Sequence, residues 1–311
     1  MSAVLGIDTS NYTTSAALYR NGKITQKKQL LPVKDGTLGL RQSDAVFHHV
    51  QQLPLLLEEL FFGERELLTA IGVSVSPRDA AGSYMPCFTV GHGSARQLSA
   101  LLRIPYYSFS HQCGHIMAAL FSAGQTALRF DKFLAFHVSG GTTEALLVTP
   151  DASRIIKTEC VAGTLDLNAG QAVDRVGGLL GLTFPAGPAL EGLAKSCREP
   201  MKARATVKGA DCCLSGLENQ CRELLSRGTP RETVARFCLD SIQETLVRMT
   251  ERLLERYGTL PLVFSGGVMS NRQIRENLTA RFQAHFAEPA FSADNAAGVA
   301  VLAALREEGE G

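Results

Sequence analysis

One pattern occurs twice in this chain, and it limits the folds open to it. Val4 to Asp8 reads as a buried strand, Asn11 to Thr14 as a polar turn and Ser15 to Tyr19 as a second strand. Arg20-Asn21-Gly22-Lys23, with Asn-Gly at its centre, then makes a hairpin of strands two and three. Phe133 to Val138, the tight turn Ser139-Gly140-Gly141-Thr142-Thr143 and Ala145 to Val148 repeat the order, and Arg154 to Val161 adds a third strand. Two copies of a strand-hairpin-strand-helix unit imply a duplicated α/β architecture with the active site between the copies.

The intervening segments are mostly helical. Asp44 to Phe62 carries apolar residues at helical spacing, with Pro54 expected to kink the helix or start a second one. A strand at Ala70 to Ser76 leads into a long loop, residues 77–86, holding two prolines, and loops of that length are more often functional than idle. Phe88 to Leu102 reads as a helix and Ile104 to Phe109 as a strand. In the second half, helices are expected at Leu167 to Leu180 and Arg231 to Tyr257, with a mixed polar stretch from Glu199 to Gly216. Asp174-Arg175 reads as a solvated charge pair, and Thr183 to Pro188 as a tight turn before another helix. Leu262 to Val268 is a strand meeting a glycine pair, Asn271 opens a helix, and Ser292-Ala293-Asp294-Asn295 caps the apolar helix Ala296 to Leu305. Such a helix start favours an anion or an outward-turned, metal-ligating carboxylate.

Chemistry concentrates at a few points. His111 and His115 in Ser110-His111-Gln112-Cys113-Gly114-His115 lie one turn apart on one helix face, where their ring nitrogens can converge on a cation; the same spacing also suits histidines that cap or hydrogen-bond in a core. Gln112 stands where a helical metalloprotease needs a glutamate base, which argues against proteolysis. The strand ending in Asp8, with its Ser/Thr-rich turn, reads either as a phosphate and metal-water loop or as an ordinary hairpin. Glycines at 140 and 141 let a backbone approach a phosphate and offer it N–H donors.

A formal net charge of +1, with 20% charged residues, gives no electrostatic case for binding nucleic acid unaided. Eight cysteines (Cys87, Cys113, Cys160, Cys197, Cys212, Cys213, Cys221 and Cys238) form no Cys-x2-Cys pair and read as reduced thiols of a cytoplasmic protein. The N-terminus has no basic region before its short apolar run, so no signal peptide or membrane span is expected.

Taken in order, the chain resembles the catalytic subunit of tRNA threonylcarbamoyladenosine synthase, formerly the O-sialoglycoprotein endopeptidase or glycoprotease-like family, within the actin-like ATPase superfamily. The matching pieces are Gly6-Ile7-Asp8-Thr9-Ser10, His111 to His115, Val138 to Gly141, Ala169 to Arg175, Gly181 to Pro188, Leu214 to Leu217, Gly266 to Arg272, and Asp294-Asn295. The resemblance implies two RNase-H-like (ASKHA) lobes with a ligand cleft between them. The N-terminal lobe would be residues 1–108, completed by the C-terminal helix 295–311, and the second lobe residues 109–294. It implies one divalent metal, Fe2+ or else Zn2+, held by His111, His115 and Asp294. It further implies an adenine nucleotide or threonylcarbamoyl-adenylate held by His137, Val138, Ser139, Gly140, Gly141, Asp174, Gly187 and Asn271. The implied reaction is acyl transfer of threonylcarbamoyl to the N6 amine of adenosine in tRNA, or a related carbamoyl transfer; the alternative is a non-catalytic, nucleotide-binding paralogue that scaffolds a synthase complex. No catalytic acid or base is assigned. tRNA is expected only with partner subunits, a related actin-like paralogue or a second copy joining through the N-terminal lobe.

The chain also departs from the family pattern. Asn11-Tyr12-Thr13 stands where the family has Cys-Asp-Glu, Thr142 replaces a histidine, and Gly170-Gln171-Ala172-Val173-Asp174-Arg175 replaces Gly-Glu-Ala-Phe-Asp-Lys. The loop at 77–86 is proline-rich where the family's is glycine-rich. Loss of acid–base equipment beside intact metal ligands marks a divergent paralogue.

Overall fold

Alternating apolar residues and turn chemistry set the order of elements. The computed structural model describes residues 2–10, 12–32, 40–63, 67–292 and 296–310. In chain order these form β1 (Ser2–Ser10), β2 (Thr13–Arg20), β3 (Lys23–Leu30), α1 (Gln42–Phe61), β4 (Leu67–Ser76), α2 (Phe88–Leu102), β5 (Tyr106–Ser110) and α3 (His111–Ser122). They continue with β6 (Phe133–Val138), β7 (Thr143–Asp151), β8 (Ile155–Gly163), α4 (Ala169–Leu179), α5 (Gly187–Lys195), β9 (Val207–Lys208), β10 (Asp211–Cys212), α6 (Ser215–Ser226) and α7 (Arg231–Tyr257). Last come β11 (Leu262–Ser265), α8 (Arg272–Arg281), β12 (Ala284–Phe286), α9 (Pro289–Ser292) and α10 (Ala297–Glu310). Two compact units result: residues 1–131 with 148–158 and 290–311, and residues 132–147 with 159–289.

The first unit holds a five-stranded sheet in the order β3-β2-β1-β4-β5. Asn21 and Gly22 both take positive φ, 44° and 74°, which is the backbone a two-residue hairpin turn requires. β1 pairs antiparallel with β2 but parallel with β4, and β4 parallel with β5, so the C-terminal ends of β1, β4 and β5 share one edge. Leu5, Ile7, Leu18, Leu53, Leu60 and Ile71 form the core beneath α1 and α2. α1 runs unbroken through Pro54. A mid-helix proline removes one backbone hydrogen bond, and the burial of Leu53, Leu56 and Leu60 on either side holds the turns in line.

On the other face α10 lies directly on backbone. A Cβ at Gly6 would sit 2.3 Å from the Ala296 carbonyl oxygen, one at Gly72 2.0 Å from that of Val299, and one at Gly298 1.8 Å from that of Gly114. Only glycines permit this approach of α10 to β1, β4 and α3. Because α3 packs on α10, β4 and β5, it belongs with the first unit, whereas the expected boundary at 108/109 assigns it to the second.

The second unit holds a five-stranded sheet in the order β12-β11-β6-β7-β8, with β11 parallel to both β6 and β12. Phe136 and Phe264 stack with ring centroids 4.7 Å apart, and Phe286 continues the stack 5.3 Å from Phe264. The long helix α7 buries Val234, Phe237, Ile242 and Leu246 in the same core, against α5 and α6.

Candidate functional site

The histidine helix starts where β5 ends. Ser110 is its N-cap, its hydroxyl oxygen accepting from the Cys113 N–H at 3.2 Å. This fixes His111 in the first turn and His115 one turn on, with ring centroids 4.3 Å apart and planes at 77°. Asp8, at the end of β1, meets this pair. Its carboxylate is 1% exposed and accepts from the Ser10 N–H at 2.9 Å, the Ser74 hydroxyl at 2.5 Å and His111 Nδ1 at 2.7 Å. Burial pushes the Asp8 carboxyl up, but the His111 charge and the hydrogen bonds from His111, Ser10 and Ser74 together hold it below the usual carboxylate range. Asp8 is therefore turned onto protein donors.

Two imidazoles on one helix face, one of them oriented by a carboxylate, are a fitting donor set for a divalent cation of intermediate softness. Asp294, the expected third ligand, lies outside the described residues, as does Asn11. Among the described residues no group of three or more His, Cys, Asp and Glu side chains is arranged to hold a metal. Gln112 is buried, and its Oε1 accepts from the Thr158 hydroxyl at 2.9 Å. Its amide cannot take up a proton as a general base, so the glutamate of a helical metalloprotease arrangement is missing at this position.

A separate pocket of about 420 Å³ lies within the second unit, and Gly140, Asp174, Gly187 and Asn271 all line it. Four of the eight residues expected at a nucleotide site thus share one cavity. Gly140 has nothing within 4 Å of the position a Cβ would take, so its face toward the cavity is open. Asp174, read from sequence as part of a solvated pair, instead accepts from the Ala186 N–H at 2.9 Å and ties α4 to the start of α5. Its neighbour Arg175 does pair on the surface, with Glu218 at 3.4 Å. Asn271 caps α8 as expected, its side chain accepting from the Ile274 N–H at 3.0 Å.

The other four expected residues serve the turn around the cavity. Ser139 closes it, its hydroxyl oxygen accepting from the N–H groups of Gly141 at 3.3 Å and Thr142 at 3.1 Å. His137 Nδ1 lies 3.1 Å from the Ser265 hydroxyl, which itself donates to the Phe136 carbonyl, so the imidazole is the donor of that pair. Val138 is a fully buried core side chain. Gly266, at φ +99°, brings its backbone against Val138, where a Cβ would meet the carbonyl oxygen at 2.3 Å. Gly170, Glu191 and Leu239 also line the cavity. Gly170 was identifiable only through its motif, and Glu191 and Leu239 gave no sequence signal.

One apparent loss changes meaning. Gln171, where the family has glutamate, completes a capping box on α4: its Oε1 accepts from the Asn168 N–H at 3.2 Å. Glutamate and glutamine serve a capping box equally, so this exchange preserves the helix start.

Two five-stranded mixed sheets flanked by helices define an actin-like ATPase fold. The chain is similar over its full length to component A of (R)-2-hydroxyglutaryl-CoA dehydratase from Acidaminococcus fermentans (TM-score 0.56, 15% identity, 100% of each chain). It is also similar to a ROK family glucokinase from Streptomyces griseus (TM-score 0.52, 13% identity, 97% of this chain and 99% of that one). At this identity the likeness shows the fold alone. The model of the tRNA N6-adenosine threonylcarbamoyltransferase family matches residues 33–301, and the chain belongs to that family. Relatives bearing that name include one from Thermus thermophilus, 32% identical over 98% of this chain and 93% of that protein. Another, from Methanopyrus kandleri, is 29% identical over 92% of this chain and 81% of that protein.

Proposed function

We propose that the protein is an acyltransferase that moves a threonylcarbamoyl group from threonylcarbamoyl-adenylate to the N6 amine of adenosine in tRNA. Membership of the transferase family supports the reaction, and the shared lining of one pocket by Gly140, Asp174, Gly187 and Asn271 is the observation that supports our assigning the adenylate there. The donor is a mixed anhydride and already activated, so the protein needs mainly to position it and meet developing charge. The Ser139-Gly140-Gly141 turn presents main chain to the phosphate. The bond from Asp174 to Ala186 holds the opposite wall at the start of α5. His111, His115 and Asp294 would hold one divalent metal, Fe2+ by family resemblance or Zn2+, which when bound supplies a Lewis acid.

Single-turnover transfer to unmodified tRNA tests the reaction. Formation of the modified base is expected; tight adenylate binding with no transfer, even with partner subunits present, would instead make the protein a binding paralogue. For the metal, elemental analysis should give near one equivalent. Metal content unchanged in the His111→Ala, His115→Ala double variant would exclude the pair as ligands.

A further inference from the structure

The buried carboxylate of Asp8 touches His111 but is not among the residues expected to hold the metal. It is 1% exposed, and three donors converge on it from three elements: Ser10 N–H at the end of Asp8's own strand β1, Ser74 Oγ on β4 and His111 Nδ1 on α3. A carboxylate only accepts, so the ring nitrogen facing it must carry the proton. The acceptor is shared between two oxygens, Oδ1 for Ser10 and Oδ2 for both Ser74 and His111, so its plane is set by the sheet and not by the ring it serves.

From this arrangement we infer that Asp8 is the positioning residue of the metal centre: it holds His111 in the Nδ1–H tautomer and makes Nε2 the ligating nitrogen. The inference rests on the metal reading proposed above. A carboxylate behind a ligating histidine fixes the ring's orientation and raises its basicity, and its loss typically weakens metal binding ~10–100-fold. The sequence separation is the reason for placing Asp8 where it is: β1, β4 and β5 run parallel, so the end of β1 meets the start of the helix that β5 delivers.

Asp8→Asn makes the role testable. The Ser10 N–H is fixed by the backbone and needs an oxygen, which leaves the new amide NH2 to face Ser74 and His111. A donor opposite Nδ1 forces the proton to Nε2, and the ligand lone pair is lost. Nitrogen-15 spectra of histidine-labelled, metal-free protein report the tautomer directly, the His111 signal being identified by its loss in His111→Gln. Cobalt(II) titration, followed by its visible absorption, reports affinity. The wild type should show Nδ1–H and bind one equivalent; Asp8→Asn should show Nε2–H and bind at least about 10-fold more weakly.

A wild-type ring found as Nε2–H overturns the inference without any variant, so an unfolded Asp8→Asn protein does not shelter it. Equal cobalt affinity in wild type and Asp8→Asn overturns the positioning role while leaving the metal site standing. A wild type that binds no cobalt despite an Nδ1–H ring overturns the metal reading, and Asp8's role with it.

Discussion

At single residues, the positions that matter most are those whose surroundings leave no second solution. Gly140 faces an open cavity, so a valine there adds volume where we propose the nucleotide and meets no neighbouring atom. Calorimetry with AMP should show at least ~10-fold weaker binding in Gly140→Val, about 1.4 kcal/mol; equal affinity would move the nucleotide elsewhere. His49 is a different case. It is fully buried and bonded through Nδ1 to the Thr14 hydroxyl at 2.8 Å, and burial lowers its pKa from 6.5 to about 4, with the Asp8 charge opposing. The unfolded chain therefore takes up a proton at a pH where the folded one does not. Its contribution to stability is complete above about pH 6.5 and is lost as pH falls toward 4, by roughly 3 kcal/mol. Asp8, also held below its usual range, acts at still lower pH, so the two windows separate. Urea unfolding across pH 4 to 7 should show this loss in the wild type and a flatter profile in His49→Gln. An identical slope in the two proteins would assign the acid sensitivity to other groups.

Among the elements, periodicity and caps made most of the fold readable. Phe88–Leu102, Phe133–Val138 and Arg231–Tyr257 begin and end where pattern alone put them, because each is long or strongly apolar and bounded by polar or glycine residues. What pattern could not give is proximity. Asp8 and His111 are 103 positions apart, and only the parallel order of β1, β4 and β5 joins them. Asp174 looked solvated because its partner is a backbone N–H twelve residues on, which no side-chain pattern reveals. Helix α1 shows the same limit from the other side. Of the apolar residues that pattern gathers at its end, Leu56 and Leu60 are buried, Leu57 and Phe61 pack against the unit's own core and Phe62 is exposed, while Phe47, Val50 and Leu55 remain 55–59% exposed. That second stripe, which pattern did not single out, is apolar surface left exposed on the lobe through which the family resemblance implies a second copy or a related actin-like subunit. Light scattering at roughly tens of micromolar should find an assembled species that Phe47→Ser with Val50→Ser dissociates; an unchanged mass in the double variant would reject this face.

For the molecule as a whole, charge limits what it does alone. A formal net charge of +1 gathers no polyanion, since each phosphate neutralised takes its own Lys or Arg. Filter binding at physiological salt should find weak tRNA affinity for the isolated chain and a marked gain once partner subunits are added; tight binding by a monomer would overturn that division of labour. Among the described residues no helix is long and apolar enough to cross a membrane. The seating of α10 carries a consequence for biosynthesis. The glycines that receive this helix, Gly6, Gly72 and Gly114, leave the ribosome long before the helix itself does. Until translation passes residue 298, one face of the nascent sheet of the first unit lacks its cover, exposing apolar surface to chaperones and proteases. A message cut short after α9 would therefore yield a chain whose first sheet stays uncovered on one face and open to degradation.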